Sequence, residues 1–146
     1  MKKPRLLMTL LPLVLSGCTN VAGDITRTIH ALPASTLNND TLFSAASEFF
    51  SREGYQCTPE RDANRFRCSR EMRDLYIHQT RAVVQIFPDG DEGVAYALVT
   101  TRWDEGLIPG ELISSDFTNP DVAAFCTYLQ EQEVGQCRSE MMHKRS

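Results

Sequence analysis

The stretch that decides the fold is LYIHQTRAVVQIFPDGDEGVAYALVTTRW, residues 75–103. Its two arms, 75–87 and 94–103, are rich in β-branched and aromatic residues. The Pro, Asp and Gly residues of 88–93, which lie between the arms, are typical of turns. Two such arms joined by a short turn are typical of a β-hairpin. The sequence therefore predicts an antiparallel pair of strands here.

The N-terminus has the order of a bacterial export signal. Three basic residues within the first five are followed by an apolar run at residues 6–15 and then by small residues. Residues 15–18 read LSGC, which resembles the lipobox of bacterial lipoproteins, in which the cysteine receives a diacylglycerol before the signal peptide is removed. The resemblance covers residues 1–19 and implies that Cys18 becomes the lipid-bearing N-terminus.

The same resemblance indicates a location. In organisms similar to the enteric bacteria, an Asp directly after the cysteine tends to retain a lipoprotein in the inner membrane, whereas this chain has Thr19. We therefore expect an anchor at Cys18 in the outer membrane, with the protein on its periplasmic face. Without residues 1–17, the chain has 12 basic and 19 acidic residues, a formal charge of −7, which disfavours a nucleic-acid partner.

The remaining cysteines are Cys57, Cys68, Cys126 and Cys137. An even number in an exported chain predicts two disulfides, and of the three possible connectivities we favour the two local pairs. Polar and apolar residues alternate around Cys57 and around Cys68, so a hairpin that sets these two cysteines opposite each other is self-consistent. The second pair requires the chain to reverse at Gly135 after a helix.

Two segments have the spacing of amphipathic helices. Residues 39–53 carry an apolar stripe and can be capped by Asn39 or Asp40, and residues 119–132 open with Asn-Pro-Asp, a typical helix start. The expected order is helix, four strands, helix. We predict an α+β fold with a four-stranded antiparallel sheet made of two hairpins, both helices on one face, and two disulfides.

The domain organisation follows from these elements. Residues 1–17 are expected to be the cleaved signal peptide, and residues 18–38, which lack sustained periodicity, a lipidated flexible tether. Residues 39–138 are expected to form a single periplasmic domain, and residues 139–146 a frayed tail.

Two features are candidates for partner binding. Under the hairpin register above, Arg65 and Arg67 share the solvent face, where they could dock an anionic partner or simply be solvated. The apolar segment after Trp103 includes Leu107 and Ile108 and is long for a plain connection. Residues 104–119 are therefore either a short buried helix or a binding loop that Trp103 anchors.

No pattern in the sequence indicates catalysis. The three histidines lie far apart in the chain, no GxSxG motif occurs, and the acidic residues of 89–92 lack the spacing of a calcium loop. We therefore expect no catalytic residues, no metal and no cofactor.

The function that the sequence favours is that of a non-catalytic accessory factor that binds an envelope protein. A periplasmic inhibitor or small-ligand-binding module, such as a lysozyme inhibitor, is the alternative, although two helices fit poorly with the all-strand barrels of those inhibitors.

Overall fold

The computed structural model describes residues 18–60, 64–75, 78–90, 95–106 and 117–139. Within these ranges the chain forms seven strands and two helices. In chain order they are β1 (Cys18–Gly23), β2 (Arg27–His30), α1 (Asn39–Arg52), β3 (Gln56–Glu60), β4 (Arg65–Leu75), β5 (His78–Asp89), β6 (Ala95–Gly106), α2 (Pro120–Glu131) and β7 (Gln136–Ser139). No helix in these ranges is long and apolar enough to cross a bilayer.

All the strands join one antiparallel sheet in the order β3-β4-β5-β6-β2-β7, and β1 also pairs with β6. The long strand β6 pairs with β5 along one side. On its other side, residues 95–98 pair with β2 and residues 101–106 pair with β1. Strands β1 and β2 therefore lie in line along the same side of β6.

The predicted four-stranded sheet is wrong, because the sheet has seven strands among the described residues. The four predicted strands correspond to β3–β6, and the three that were missed are the short strands β1, β2 and β7. Two of these lie in residues 18–30, which corrects the assignment of that segment to a flexible tether. The missed strands lack a local pattern of their own and form because β6 and then β2 offer an edge to pair with.

Both helices pack on one face of the sheet, which we call the helix face, as predicted. Helix α1 buries the stripe expected of it, and the Phe50 ring lies 4.8 Å from the Phe125 ring of α2. Each fully buried large apolar side chain stabilises the fold by about 1.5–3 kcal/mol. The core cluster on this face includes Ile29, Leu42, Phe49, Phe50, Phe66, Val84, Ile86, Leu98, Val122, Phe125 and Leu129.

The start of α2 agrees with the prediction from the sequence, and the start of α1 differs from its prediction by one residue. Asn119 caps α2, as predicted. Helix α1 is capped by Asn38 rather than by Asn39 or Asp40, because Asn38 and Thr41 exchange side-chain to backbone hydrogen bonds of 2.9 and 3.3 Å in a capping box. Asn39 is thereby free to accept a 2.6 Å hydrogen bond from the Tyr96 hydroxyl.

Both local disulfides are present. Cys57 lies opposite Cys68 in the β3–β4 register, and Cys126 of α2 bonds to Cys137 of β7. The second bond requires a close return of the chain at Gly135. A β-carbon at Gly135 would lie 3.0 Å from the His30 carbonyl oxygen, so glycine allows the chain to approach β2.

Four predictions concern residues outside the described ranges: the signal peptide at 1–17, the turn residues 91–93, the tail beyond Ser139, and the part of the 104–119 segment that contains Leu107 and Ile108.

Candidate functional site

The strand register defines a second face of the sheet, opposite the helices, which we call the outer face. Residues directly opposite each other in an antiparallel pair point to the same side. Val83 and Ala97 are 1% and 7% exposed yet lie outside the core cluster, which places them on the side away from α1 and α2. The same alternation assigns to the outer face Arg65 and Arg67 of β4, Arg81, Val83, Gln85 and Phe87 of β5, and Ala97, Val99, Thr101 and Trp103 of β6.

Three of the predicted site residues therefore share one surface. Arg67 aligns with Gln85 and, through it, with Val99, while Trp103 aligns with Arg81. The arginine pair and the tryptophan lie on the same face, two strands apart. The sequence predicts them as two separate binding features. No described helix covers this face.

Arg65 lies against an aromatic ring. Its guanidinium is 5.4 Å from the centroid of Phe87, in a cation–π geometry. The Nε atom of Arg65 is buried and has no hydrogen-bond partner among the described residues. Stacking on Phe87 holds the planar group at the surface, while its terminal nitrogens remain available to an acceptor.

Arg67 and Arg81 extend this basic patch. In the part of the chain that the structure describes, Arg65, Arg67 and Arg81 form no ion pair, although the register sets Glu60 opposite Arg65 and Glu71 opposite Arg81. Sequence reasoning missed Arg81. The signal was present, because Arg81 has the same parity along β5 as Val83 and Phe87 and therefore shares their face.

Trp103 stands at the other side of the outer face. Its indole N–H donates a 2.9 Å hydrogen bond to the Thr101 hydroxyl two residues earlier on the same strand. The ring is partly buried, and its cross-strand neighbour on β1 is the exposed Val21. Because its polar atom already has a partner, the indole offers mainly apolar area.

A polar cluster on the helix face has a structural role. The Tyr55 hydroxyl donates to Asp121 at 2.9 Å and accepts from the Asn119 side chain at 3.0 Å. Arg70 pairs with Asp121 at 2.9 Å and lies 4.7 Å from the centre of the Tyr55 ring. These contacts fix the start of α2 against strand β4 and the residue that precedes β3.

The chemistry of Tyr55 agrees with that role. Burial raises the pKa of Tyr55 to about 12, the hydrogen bond to Asp121 also raises it, and the bond from Asn119 lowers it. The hydroxyl therefore stays protonated at neutral pH, where it serves as a hydrogen-bond partner rather than as a base.

A second buried polar group, Asp104, lies on the helix face of β6. It accepts hydrogen bonds of 2.9 Å from the Thr80 hydroxyl and from Arg102. Arg102 also lies 5.7 Å from the Phe117 ring. The carboxylate is thus held by partners from two adjacent strands.

The histidines and acidic residues that the structure describes do not converge. His30 lies on β2, His78 begins β5 and His143 is outside the described residues. Within the described ranges no three His, Cys, Asp or Glu side chains are close enough to hold a metal ion.

Comparison with protein-family models, with curated proteins and with solved structures finds no match for the chain. Function is therefore inferred from the geometry of the sheet and from the N-terminal sequence.

Proposed function

We propose that this protein is an outer-membrane lipoprotein, anchored through Cys18 on the periplasmic side, that acts as a non-catalytic binding factor for an envelope protein. Its binding surface is the outer face. The observation that carries the proposal is the placement of Arg65, Arg67 and Trp103 on the same face of the sheet, opposite the helices.

The composition of the outer face suits a protein partner. Arginine and tryptophan are enriched among the residues that dominate protein–protein affinity, and apolar residues surround them here. The guanidinium groups of Arg65, Arg67 and Arg81 are not neutralised by ion pairs among the described residues. An acidic surface on the partner would supply those pairs and orient the encounter.

The anchoring part of the proposal rests on the lipobox. Two or three acyl chains give lasting membrane attachment, since each buried methylene contributes about 0.8 kcal/mol. The two disulfides agree with an oxidising compartment. Strand β1 begins at Cys18 itself, so an acyl chain on that residue would hold the sheet close to the bilayer.

The partner-binding part is tested by photo-crosslinking in living cells. A photoreactive amino acid in place of Gln85 reports on the outer face, and the same group in place of exposed Ser44 on α1 is the matched control. We expect a crosslink to an envelope protein, identified by mass spectrometry, from position 85 and not from position 44. Equal products from both positions would contradict the assignment of the outer face.

The anchor is tested separately by Cys18→Ala. We expect the variant to leave the membrane fraction without detergent, whereas the parent requires detergent. Equal membrane retention of the two proteins would refute lipidation and would leave the crosslinking result to be judged alone.

One groove favours the alternative of a small-ligand module. It has a volume of about 520 Å³, within the usual range of ligand pockets, and lies where the start of α1 meets the β3–β4 hairpin. Its lining combines amide, carboxylate, guanidinium and aromatic groups: Asn39, Asp40, Phe43, Pro59, Glu60, Asn64 and Arg65. Inhibition of lysozyme by the purified protein, abolished by Phe43→Ala, would favour this alternative.

A further inference from the structure

The register of the short strands directs the chain after β7 toward β1. Strand β7 pairs with β2 in an antiparallel register that sets Gln136 opposite His30 and Ser139 opposite Arg27. Beyond Arg27, the row that β2 occupies continues as β1, because both strands lie in line along β6. A chain that continued straight from Ser139 would therefore run beside β1 and antiparallel to it.

Strand β6 gives the alignment of such a continuation. Between Arg27 and Gly23 the register on β6 advances by three residues. The same advance beyond Ser139 sets residues 142–146 opposite residues 19–23, in antiparallel order. This stretch of chain is therefore long enough to cover most of β1.

The composition of β1 differs from that of the other two edge strands. Strand β3 carries Pro59 and Glu60, and β7 carries Arg138. Proline and charged residues are the usual means by which natural sheets block pairing at an edge. Strand β1, with the sequence CTNVAG, has neither, although among the described residues it pairs with β6 alone. Its composition is that of a strand with a neighbour on both sides.

Residues 140–146, with the sequence EMMHKRS, have the composition of an outer strand. They contain no proline and no glycine that would interrupt a strand. They also carry the charged residues Glu140, Lys144 and Arg145. Placed beside β1, these residues would give the sheet a charged edge, which disfavours pairing with a further chain. An uncharged inner strand and a charged outer strand complement each other.

We propose that residues 140–146 continue β7 as an added strand along β1, in place of the frayed tail that the sequence predicts. The closure of a loop costs little here, because the added strand starts where β7 already lies beside β2. Strand β1 begins at Cys18, so the proposed lipid anchor would be held by two rows of backbone hydrogen bonds instead of one. The pairing itself requires neither lipidation nor a partner, so its failure would leave the proposed function standing.

Hydrogen exchange followed by mass spectrometry tests the pairing. The full chain in mild detergent is compared with a variant that ends at Ser139. We expect the amides of residues 19–23 to exchange about tenfold faster in the truncated variant, because β1 loses a row of hydrogen bonds. The amides of β3, at the opposite edge of the sheet, should keep their rate and serve as the internal control. Equal exchange of residues 19–23 in the two proteins would overturn the proposal.

A second pair of variants keeps the length of the chain. Met141→Pro/Met142→Pro removes two successive backbone N–H groups, one of which must face β1 because successive residues of a strand alternate in direction. It should speed the exchange of residues 19–23 as truncation does. Met141→Ala/Met142→Ala removes the same side chains but keeps both N–H groups, and should exchange at nearly the parent rate. Equally fast exchange in the alanine and proline variants would contradict strand pairing.

Two further results would count against the added strand. Exchange of residues 19–23 that slows as the protein concentration rises would show that a second copy covers β1. Exchange that becomes equally faster in β1 and β3 in the truncated and proline variants would show that residues 140–146 stabilise the fold as a whole and not this edge. In each case the crosslink from position 85 still tests the outer face independently.

Discussion

The two faces of the sheet differ in what their side chains contact. On the helix face, Phe66, Ile86 and Leu98 are buried against the rings and aliphatic chains of α1 and α2. On the outer face, Arg67 and Trp103 project from the same strands without a described helix over them. Because side chains alternate along a strand, β4, β5 and β6 can stabilise the fold with one set of residues and present binding chemistry with the other.

The largest effect is expected on the helix face, from Phe50→Ala. Phe50 is fully buried and contacts rings on both helices, so its removal leaves a cavity and should lower the free energy of unfolding by about 3–5 kcal/mol. Denaturant unfolding measures this. A loss below about 1 kcal/mol would show that the core is not centred on the two helices.

The next effect concerns the disulfide at the edge of the sheet. Replacing both Cys57 and Cys68 by Ser should lower the free energy of unfolding by about 2–4 kcal/mol, because the unfolded chain is no longer constrained. The parent protein under reducing conditions is a useful control, since reduction removes Cys126–Cys137 as well and should cost more. An unchanged midpoint for the double variant would argue against the bond.

Tyr55→Phe should have an intermediate effect. It removes the hydroxyl that bonds both Asn119 and Asp121, and leaving these groups partly unsatisfied costs about 1–3 kcal/mol. Thermal unfolding at neutral pH checks this prediction, and Tyr96→Phe, which breaks a single side-chain hydrogen bond, should cost less.

Tyr55 should also make the stability of the fold depend on pH. The pKa of Tyr55 is raised from 10.0 to about 12, so the folded state holds its proton longer than the unfolded state does. Its contribution to stability is fully present below pH 10 and falls as the pH rises through this window, with a slope of up to about 1.4 kcal/mol per pH unit. If the free energy of unfolding of Tyr55→Phe falls as much between pH 10 and 11 as that of the parent protein, another group is responsible.

The smallest effect on stability is expected on the outer face. Arg67→Glu changes a half-exposed residue without an ion pair among the described residues, and should alter the free energy of unfolding by less than about 0.5 kcal/mol. It should nevertheless abolish the crosslink from position 85, because it reverses a charge facing the partner. Arg67→Lys keeps the charge and should retain most of the crosslink.

Local pattern was enough for much of the fold. Residues 39–53 and 119–132 have clear helical stripes, and the cysteine spacing agrees with the alternation around Cys57 and Cys68, so the helices, the strands β3–β6 and both disulfides could be predicted. The strands at 18–23, 27–30 and 136–139 could not, because their pairing depends on an edge of the sheet that only tertiary structure provides.

The candidate site was harder to predict than the fold. Placing Arg67 and Trp103 on one face requires the register of three strands, and a slip of one residue moves every side chain to the other face. The β4–β5 register shifts between Glu71 and Arg73, and no pattern in the sequence predicts that shift. Individual residues could be named from the sequence, but not their shared surface.

The yield of crosslinked envelope protein per folded molecule, with the photoreactive group at position 85, tests the division between the two faces most directly. Arg67→Glu is expected to lose the crosslink at unchanged stability, whereas Phe50→Ala is expected to lose stability but keep the crosslink in the fraction that remains folded. A wild-type yield from Arg67→Glu would contradict the assignment of partner binding to the outer face.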